Sequence, residues 1–164
     1  MKKIIMVSTN NTCRSFIAES ILRQYLLDAD QKNVEVISRG LVVLFPEPVH
    51  VKAADMVIKT CGIESLDFRS AQLTQEEVEE SDLILTMTEE QKDKILEEYH
   101  GYKEIATLNE YARVEGAIID PYGMEDDDYE RCFEQIARLV KKIWQERLGA
   151  VSYTHLTLPT ICSV

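Results

Sequence analysis

The chain has 164 residues, which suits one domain with a sizeable core, and its apolar and charged residues are in ordinary globular proportion. Its formal net charge of -11 argues against nucleic acid or an anionic membrane surface as a partner. No stretch reaches the roughly 20 apolar residues of a membrane span, and the apolar run at 4–7 is too short for a signal peptide, so we expect a cytoplasmic protein.

Short apolar runs alternate with amphipathic segments along the chain, and each kind predicts a different element. The apolar runs predict strands at 3–7, 34–38, 83–87 and 105–108. The amphipathic segments predict helices at 15–27, 51–60, 89–99 and 129–148. Because strands alternate with helices, we predict an α/β three-layer sandwich, in which helices flank a short parallel sheet of about four strands.

The last helical pattern runs out at Leu148-Gly149, and a glycine is a good helix stop. The segment that follows has no helical period and resembles a translated sequencing adapter, most clearly over 151–160. We therefore predict that residues 1–149 form the domain and that residues 150–164 are a non-native read-through tail. The alternative is a native C-terminus that is disordered or β-like.

The main candidate site is the loop between the first strand and the first helix. It reads Ser8-Thr9-Asn10-Asn11-Thr12-Cys13-Arg14-Ser15. A phosphate in this place would meet backbone N–H groups and the positive end of the helix, and Arg14 adds a bidentate guanidinium. The asparagines tolerate the positive φ that an anion-wrapping loop needs. From these residues alone, a plain strand-to-helix turn with a solvated arginine is an equal alternative.

Four further blocks follow this phosphate loop in order along the chain. They are Ser38-Arg39-Gly40, Phe68-Arg69-Ser70-Ala71-Gln72-Leu73, Ser81-Asp82-Leu83-Ile84-Leu85-Thr86-Met87-Thr88 and Asp120-Pro121-Tyr122-Gly123. Together with the loop, they resemble the low-molecular-weight protein phosphatases, which act on phosphotyrosine or phosphoarginine. The resemblance covers residues 1–149 and implies phosphorylated protein side chains as partners.

The resemblance also implies a role for each site residue. Ser8 stands where the family carries its nucleophilic cysteine, Arg14 matches the arginine that grips phosphate, and Asp120 matches the general acid. The implied substrate-binding residues are Thr9, Asn10, Asn11, Thr12, Cys13, Ser15 and Tyr122. Tyr122 is either an aromatic wall of the pocket or a surface tyrosine. Cys13 matches a second loop cysteine that can form a disulfide with the nucleophile in relatives, a pairing that Ser8 removes.

A serine in place of the nucleophilic cysteine changes the expected chemistry. A thiol ionises readily at a helix N-terminus beside an arginine, whereas a hydroxyl stays protonated and needs an adjacent base. The sequence offers no evident base, so we predict that Ser8 preserves phosphate binding while turnover is lost or strongly reduced. Two functions stay open: a phosphatase that is active by a compensated route, and a pseudophosphatase that only binds phosphorylated residues.

Other features bear on the substrate and on competing functions. By the same resemblance, relatives that act on phosphoarginine carry a small polar residue at the Thr12 position, so Thr12 favours that substrate over phosphotyrosine. The alternative is that Thr12 merely packs. An arsenate reductase on the same scaffold would need reactive cysteines near the third strand, and residues 81–100 contain none. The cysteines and histidines show no metal-ligand spacing, so we predict no metal and no cofactor.

Overall fold

A parallel sheet forms the centre of the molecule. The computed structural model describes residues 2–62 and 67–149. Its strands are β1 (Lys2–Ser8), β2 (Val34–Gly40), β3 (Leu83–Thr86) and β4 (Ile105–Thr107). They form a four-stranded sheet in the order β2-β1-β3-β4, and every neighbouring pair is parallel. The predicted parallel sheet is therefore confirmed. Strand β1 lies between β2 and β3, so the chain crosses over β1 on its way from β2 to β3.

Helices connect the strands and cover the sheet. They are α1 (Arg14–Asp28), α2 (Val51–Cys61), α3 (Gln75–Glu80), α4 (Glu89–Glu98), α5 (Leu108–Ala112) and α6 (Asp126–Ile143). A π-helical turn, Trp144–Leu148, extends α6. The sequence analysis missed the two short helices α3 and α5. Leu108 was predicted to end a strand, and this was wrong: Thr107 and Glu110 form a capping box that starts α5 at Leu108.

The last helix begins earlier than the predicted residue 129. The carboxylate of Asp128 accepts a hydrogen bond from the N–H of Glu125 at 3.2 Å, and acidic residues fill the first turn. Negative charge at the positive end of a helix is favourable, which explains why the acidic run belongs to α6. The helix ends at Gly149, where the sequence predicted its end. The N–H of Gly149 donates a hydrogen bond to the carbonyl of Trp144 at 2.8 Å and so completes the π-helical turn.

Alternating side chains of β1 serve two separate cores. Ile4 and Met6 pack in the larger core with apolar residues of α1, α2, α5 and α6. Ile5 and Val7 point to the opposite face and pack with Val78 of α3 and Ile95 of α4. Strand side chains alternate between faces, so one buried strand can supply both cores. The helix layers on the two faces confirm the predicted three-layer sandwich.

Parallel order brings the carboxyl ends of all strands to one edge of the sheet. The loops that follow β1, β2, β3 and β4 therefore meet there, beside the position where the strand order reverses. This edge holds the predicted phosphate loop. No helix among residues 2–62 and 67–149 is long and apolar enough to cross a membrane. The predicted read-through tail, 150–164, lies outside the described residues.

Candidate active site

The loop from Ser8 to Cys13 is held open by its neighbours. The carbonyls of Ser8 and Thr9 accept hydrogen bonds from the backbone N–H of Leu41, and the carbonyl of Thr12 accepts one from His50 at 2.9 Å. A peptide carbonyl and the N–H that follows it point in opposite directions. With these carbonyls turned outward, the next N–H groups are directed toward the inside of the loop. Such a ring of N–H groups favours an anion.

The N-terminus of α1 completes this positive environment. The helix begins at Arg14, and its N-cap residue, Cys13, makes no side-chain capping bond. The first N–H groups of a helix lack intrahelical partners, and here no side chain of the N-cap satisfies them. They and the helix dipole therefore point into the loop, where a phosphate would be stabilised.

Asn11 organises the loop from inside. It is fully buried and has a φ of 60°, the left-handed conformation that the sequence predicted for the asparagines. Its Oδ1 accepts the N–H of Ala71 at 3.0 Å, and its Nδ2 donates to Ser15 Oγ at 2.8 Å and to Ser38 Oγ at 3.0 Å. Two predicted blocks, at 38–40 and 68–73, thus meet on the loop. Asn10, in contrast, is exposed and does not adopt a positive φ.

Ser8 lies buried at the floor of the loop. Its Oγ is 2.6 Å from Ser15 Oγ and accepts the backbone N–H of Asn11 at 3.2 Å. Since Ser15 Oγ already accepts from the Asn11 amide, its own proton is free to point at Ser8. The site is therefore built to donate hydrogen bonds to the atom at position 8, which stabilises negative charge there.

A buried carboxylate lies in the same network but cannot take a proton from Ser8. Ser38 donates to Glu19 Oε1 at 2.6 Å, and the other carboxylate oxygen of Glu19 is paired with Arg23. Between Ser15 and Ser38 stands the Asn11 amide nitrogen, which donates to both hydroxyls and accepts from neither. The Ala71 N–H fixes this amide orientation. The proton path is therefore interrupted, and Glu19 is not a base for Ser8.

Arg14 supplies the positive charge of the site. Its side chain is 6% exposed, and its Nη1 donates to the carbonyl of Ile118 at 2.9 Å. Its Nη2 lies 3.7 Å from Oδ2 of Asp120. The carbonyl uses one of the five guanidinium donors, which leaves the others available for the oxygens of a phosphate. The structure thus places Ser8 and Arg14 at one loop and Asp120 beside Arg14.

Comparisons with known proteins agree with this geometry. Residues 3–151 match the family model described as "Low molecular weight phosphotyrosine protein phosphatase". The chain belongs to this family. The low-molecular-weight protein-tyrosine-phosphatase PtpB of Staphylococcus haemolyticus is 36% identical over 141 residues, which cover 86% of this chain and 96% of that protein. The predicted family is therefore confirmed.

Solved structures of family members have the same fold. The low-molecular-weight protein tyrosine phosphatase from T. tengcongensis superposes with a TM-score of 0.80 at 31% identity, covering 87% of this chain and 97% of that one. A cysteine-to-serine variant of the YwlE arginine phosphatase, described as having a phosphorylated active-site serine, gives 0.77 at 30% identity and covers 86% and 92%. The family therefore includes both tyrosine and arginine phosphatases.

The other residues predicted to bind substrate differ in how far their side chains are exposed. Thr9 is exposed and Thr12 half-exposed, whereas the side chain of Cys13 is buried in the larger core, which leaves only its backbone available to the loop. Tyr122 is 73% exposed, and its N–H donates to Asp120 Oδ1 at 3.1 Å. That hydrogen bond orients the Asp120 carboxylate. The role of the tyrosine ring as a pocket wall stays a prediction.

The sequence analysis missed one residue that contacts the loop. Gln91, buried at the start of α4, donates from Nε2 to the hydroxyl of Thr9 at 3.1 Å. Its Oε1 accepts the N–H groups of Met87 and Thr88, so it ties the end of β3 to the phosphate loop. The available signal was the capping box that Thr88 and Gln91 form, which marks the helix start but not the contact with Thr9.

Replacing Asn11 by alanine is expected to lower the free energy of unfolding by about 2–4 kcal/mol. The change leaves the half-buried N–H of Ala71 without its acceptor and two buried hydroxyls without a donor, and alanine tolerates a positive φ poorly. Urea unfolding measures the change through the transition midpoint. The exposed Asn10→Ala variant is the matched control, with an expected change within about 0.5 kcal/mol. Equal effects of the two substitutions would contradict the role of Asn11 as the organiser of the loop.

Proposed function

We propose that this family member captures phosphorylated protein side chains in its phosphate loop and that Ser8 strongly impairs turnover. The observation that carries the proposal is the closed hydrogen-bond network around Ser8. Its hydroxyl contacts only hydrogen-bond donors or another hydroxyl among the described residues, and the route to Glu19 is interrupted at the Asn11 amide. A serine without a base is a weak nucleophile.

The same arrangement supports one slow phosphoryl transfer followed by a stall. The Ser8 oxygen would bond to phosphorus as the bond to the substrate side chain breaks. Asp120 would protonate the departing group, and the proton of Ser8 would pass to a phosphoryl oxygen. The YwlE variant with a phosphorylated active-site serine is a precedent for the product. Release of that phosphate would require an alkoxide to leave, which is much less favourable than the thiolate that a phosphocysteine releases.

Phosphoarginine is the substrate class that we favour. Thr12 is a half-exposed, small polar residue of the loop, and the family resemblance associates such a residue at this position with phosphoarginine. The similarity to an arginine phosphatase supports this choice, although the family also includes tyrosine phosphatases. The proposal includes a cytoplasmic location.

A burst assay tests this function. The full chain is mixed with an excess of a phosphoarginine peptide or a phosphotyrosine peptide, and released phosphate and the intact protein mass are followed together. We expect peptide binding, at most one phosphoryl group added per chain and no sustained release. Ser8→Ala is the matched control, which should bind the peptide but gain no phosphoryl group. Sustained release by the unaltered chain that Ser8→Ala abolishes would refute impaired turnover and favour the compensated phosphatase.

A further inference from the structure

His50 lies where the phosphate loop and two helices meet. It is the N-cap residue of α2. Its backbone N–H bonds to Thr12 of the phosphate loop, and its ring packs on Tyr129 at the start of α6. The phosphate loop, α2 and α6 are thus joined through a single residue.

The backbone of His50 sets the direction of one N–H group of the phosphate loop. Its N–H donates to the carbonyl of Thr12 at 2.9 Å. Because a peptide carbonyl and the N–H that follows it point in opposite directions, this bond turns the N–H of Cys13 toward the inside of the loop. Backbone N–H groups that converge in this way bind anions. A shift of His50 would therefore move one donor out of line with a bound phosphate.

The side chain of His50 holds that backbone in place. Its Nδ1 accepts the N–H of Lys52 at 3.2 Å, which satisfies one of the free donors at the N-terminus of α2. The carbonyl of His50 accepts the N–H of Ala54 at 2.9 Å. These two bonds keep the residue at a φ of -57° and a ψ of 137°, so its N–H keeps its direction toward Thr12.

The ring of His50 has a second partner on α6. It stacks on the ring of Tyr129, with the centroids 4.9 Å apart and an angle of 19° between the planes. Since Nδ1 accepts a hydrogen bond, the ring proton is on Nε2, which lies 3.4 Å from the Tyr129 hydroxyl. Asparagine and aspartate are more usual N-cap residues. Their shorter side chains could not cap α2 and stack on Tyr129 at the same time.

Lys52 strengthens the same contact between α2 and α6. Its Nζ lies 4.8 Å from the centroid of the Tyr129 ring and 2.5 Å from Oδ1 of Asp126. Tyr129 is itself buried, so His50 packs against a fixed part of the core. The position of the His50 backbone is therefore determined from both helices.

We propose that His50 is a positioning residue for phosphate binding, because it caps α2, stacks on Tyr129 and so aims the N–H of Cys13 at the anion. The inference rests on the proposed function, since it assigns a role within the phosphate site. His50 acts through the backbone of Thr12, and its ring needs no contact with the phosphate.

The test compares the natural chain with His50→Ala, which removes the cap and the ring, and with His50→Asn, which keeps a capping oxygen. Thr74→Ala is the matched control. Thr74 is the N-cap of α3, and in the described structure its side chain bonds to Glu77 and to no residue of the phosphate loop. Isothermal titration measures the affinity for inorganic phosphate, and hydrogen exchange measures the protection of the amide of residue 50.

His50→Ala is expected to bind phosphate about three- to tenfold more weakly, up to the loss of one hydrogen bond to a charged group. Its amide at residue 50 should exchange about tenfold faster, because the bond to Thr12 opens more often. His50→Asn should recover most of both losses through its cap. Thr74→Ala should lower the urea midpoint about as much as His50→Ala does and leave phosphate affinity unchanged.

Three results would overturn the inference. One is equal phosphate affinity in the natural chain and in folded His50→Ala. Another is an equal loss of affinity in Thr74→Ala, since the effect would then follow from stability alone. The third is a folded His50→Asn variant that recovers neither quantity. If the natural chain binds no phosphate while His50→Ala still loses protection at residue 50, the proposed function is wrong and the control of the loop backbone by His50 stands.

Discussion

Changing Ser8 to cysteine is expected to give the chain sustained phosphatase activity, at least about 10³-fold above that of the natural sequence, in line with what a missing nucleophile costs a hydrolase. Cysteine at this position would lie at the N-terminus of α1 and close to Arg14, two features that favour a thiolate. The hydroxyl of Ser15 and the N–H of Asn11 already point at the atom in this position and would stabilise its charge.

The assay compares phosphate release by the natural chain, Ser8→Cys and Ser8→Ala on an aryl phosphate and on a phosphoarginine peptide. It is run with a reductant, because Ser8→Cys introduces a thiol five residues before Cys13 and the two could form a disulfide. If the natural chain and Ser8→Cys turn over at similar rates, a base for Ser8 exists and the proposed impairment is wrong. If only Ser8→Cys turns over, its preferred substrate identifies the ligand class of the natural chain.

Local patterns were sufficient to predict most of the fold. The apolar run of β1 and the long amphipathic face of α6 are strong signals, since each repeats over several residues of one element. The helices α3 and α5 have six and five residues, too few for a helical period to stand out. Each is preceded by a threonine capping box, and in α5 that local signal overrode the strand pattern that had included Leu108.

The site could be predicted only in part, for a related reason. The resemblance of ordered blocks placed Arg14 and Asp120 at one site, although no local pattern connects them. It did not reveal that the Asn11 amide separates Ser8 from Glu19, because this depends on which atom of the amide faces the N–H of Ala71. Nor did it reveal the contact between Gln91 and Thr9. Both depend on contacts between distant parts of the chain that no local pattern connects.

Replacing Arg14 by lysine is expected to weaken the binding of inorganic phosphate by about 10- to 100-fold, which corresponds to the loss of one charge-assisted hydrogen bond. Lysine keeps the positive charge, so any loss of phosphate affinity would come from the changed geometry of the hydrogen-bond donors. One guanidinium nitrogen of Arg14 donates to the carbonyl of Ile118 while the planar group keeps other donors for phosphate. A lysine ammonium is a single charged group, so it cannot contact the carbonyl of Ile118 and the phosphate at the same time. An ammonium that donates to this carbonyl would lie away from the phosphate.

Isothermal titration with inorganic phosphate measures this effect, and Arg138→Lys is the matched control because Arg138 is exposed on α6. The control should leave the dissociation constant unchanged. A urea midpoint measured for both variants separates weaker binding from a loss of folded protein. Equal phosphate affinity in the natural chain and a folded Arg14→Lys variant would mean that the bidentate geometry of Arg14 does not contribute. In that case phosphate would be held by the N–H groups of the loop and the positive end of α1, and charge at position 14 would be sufficient.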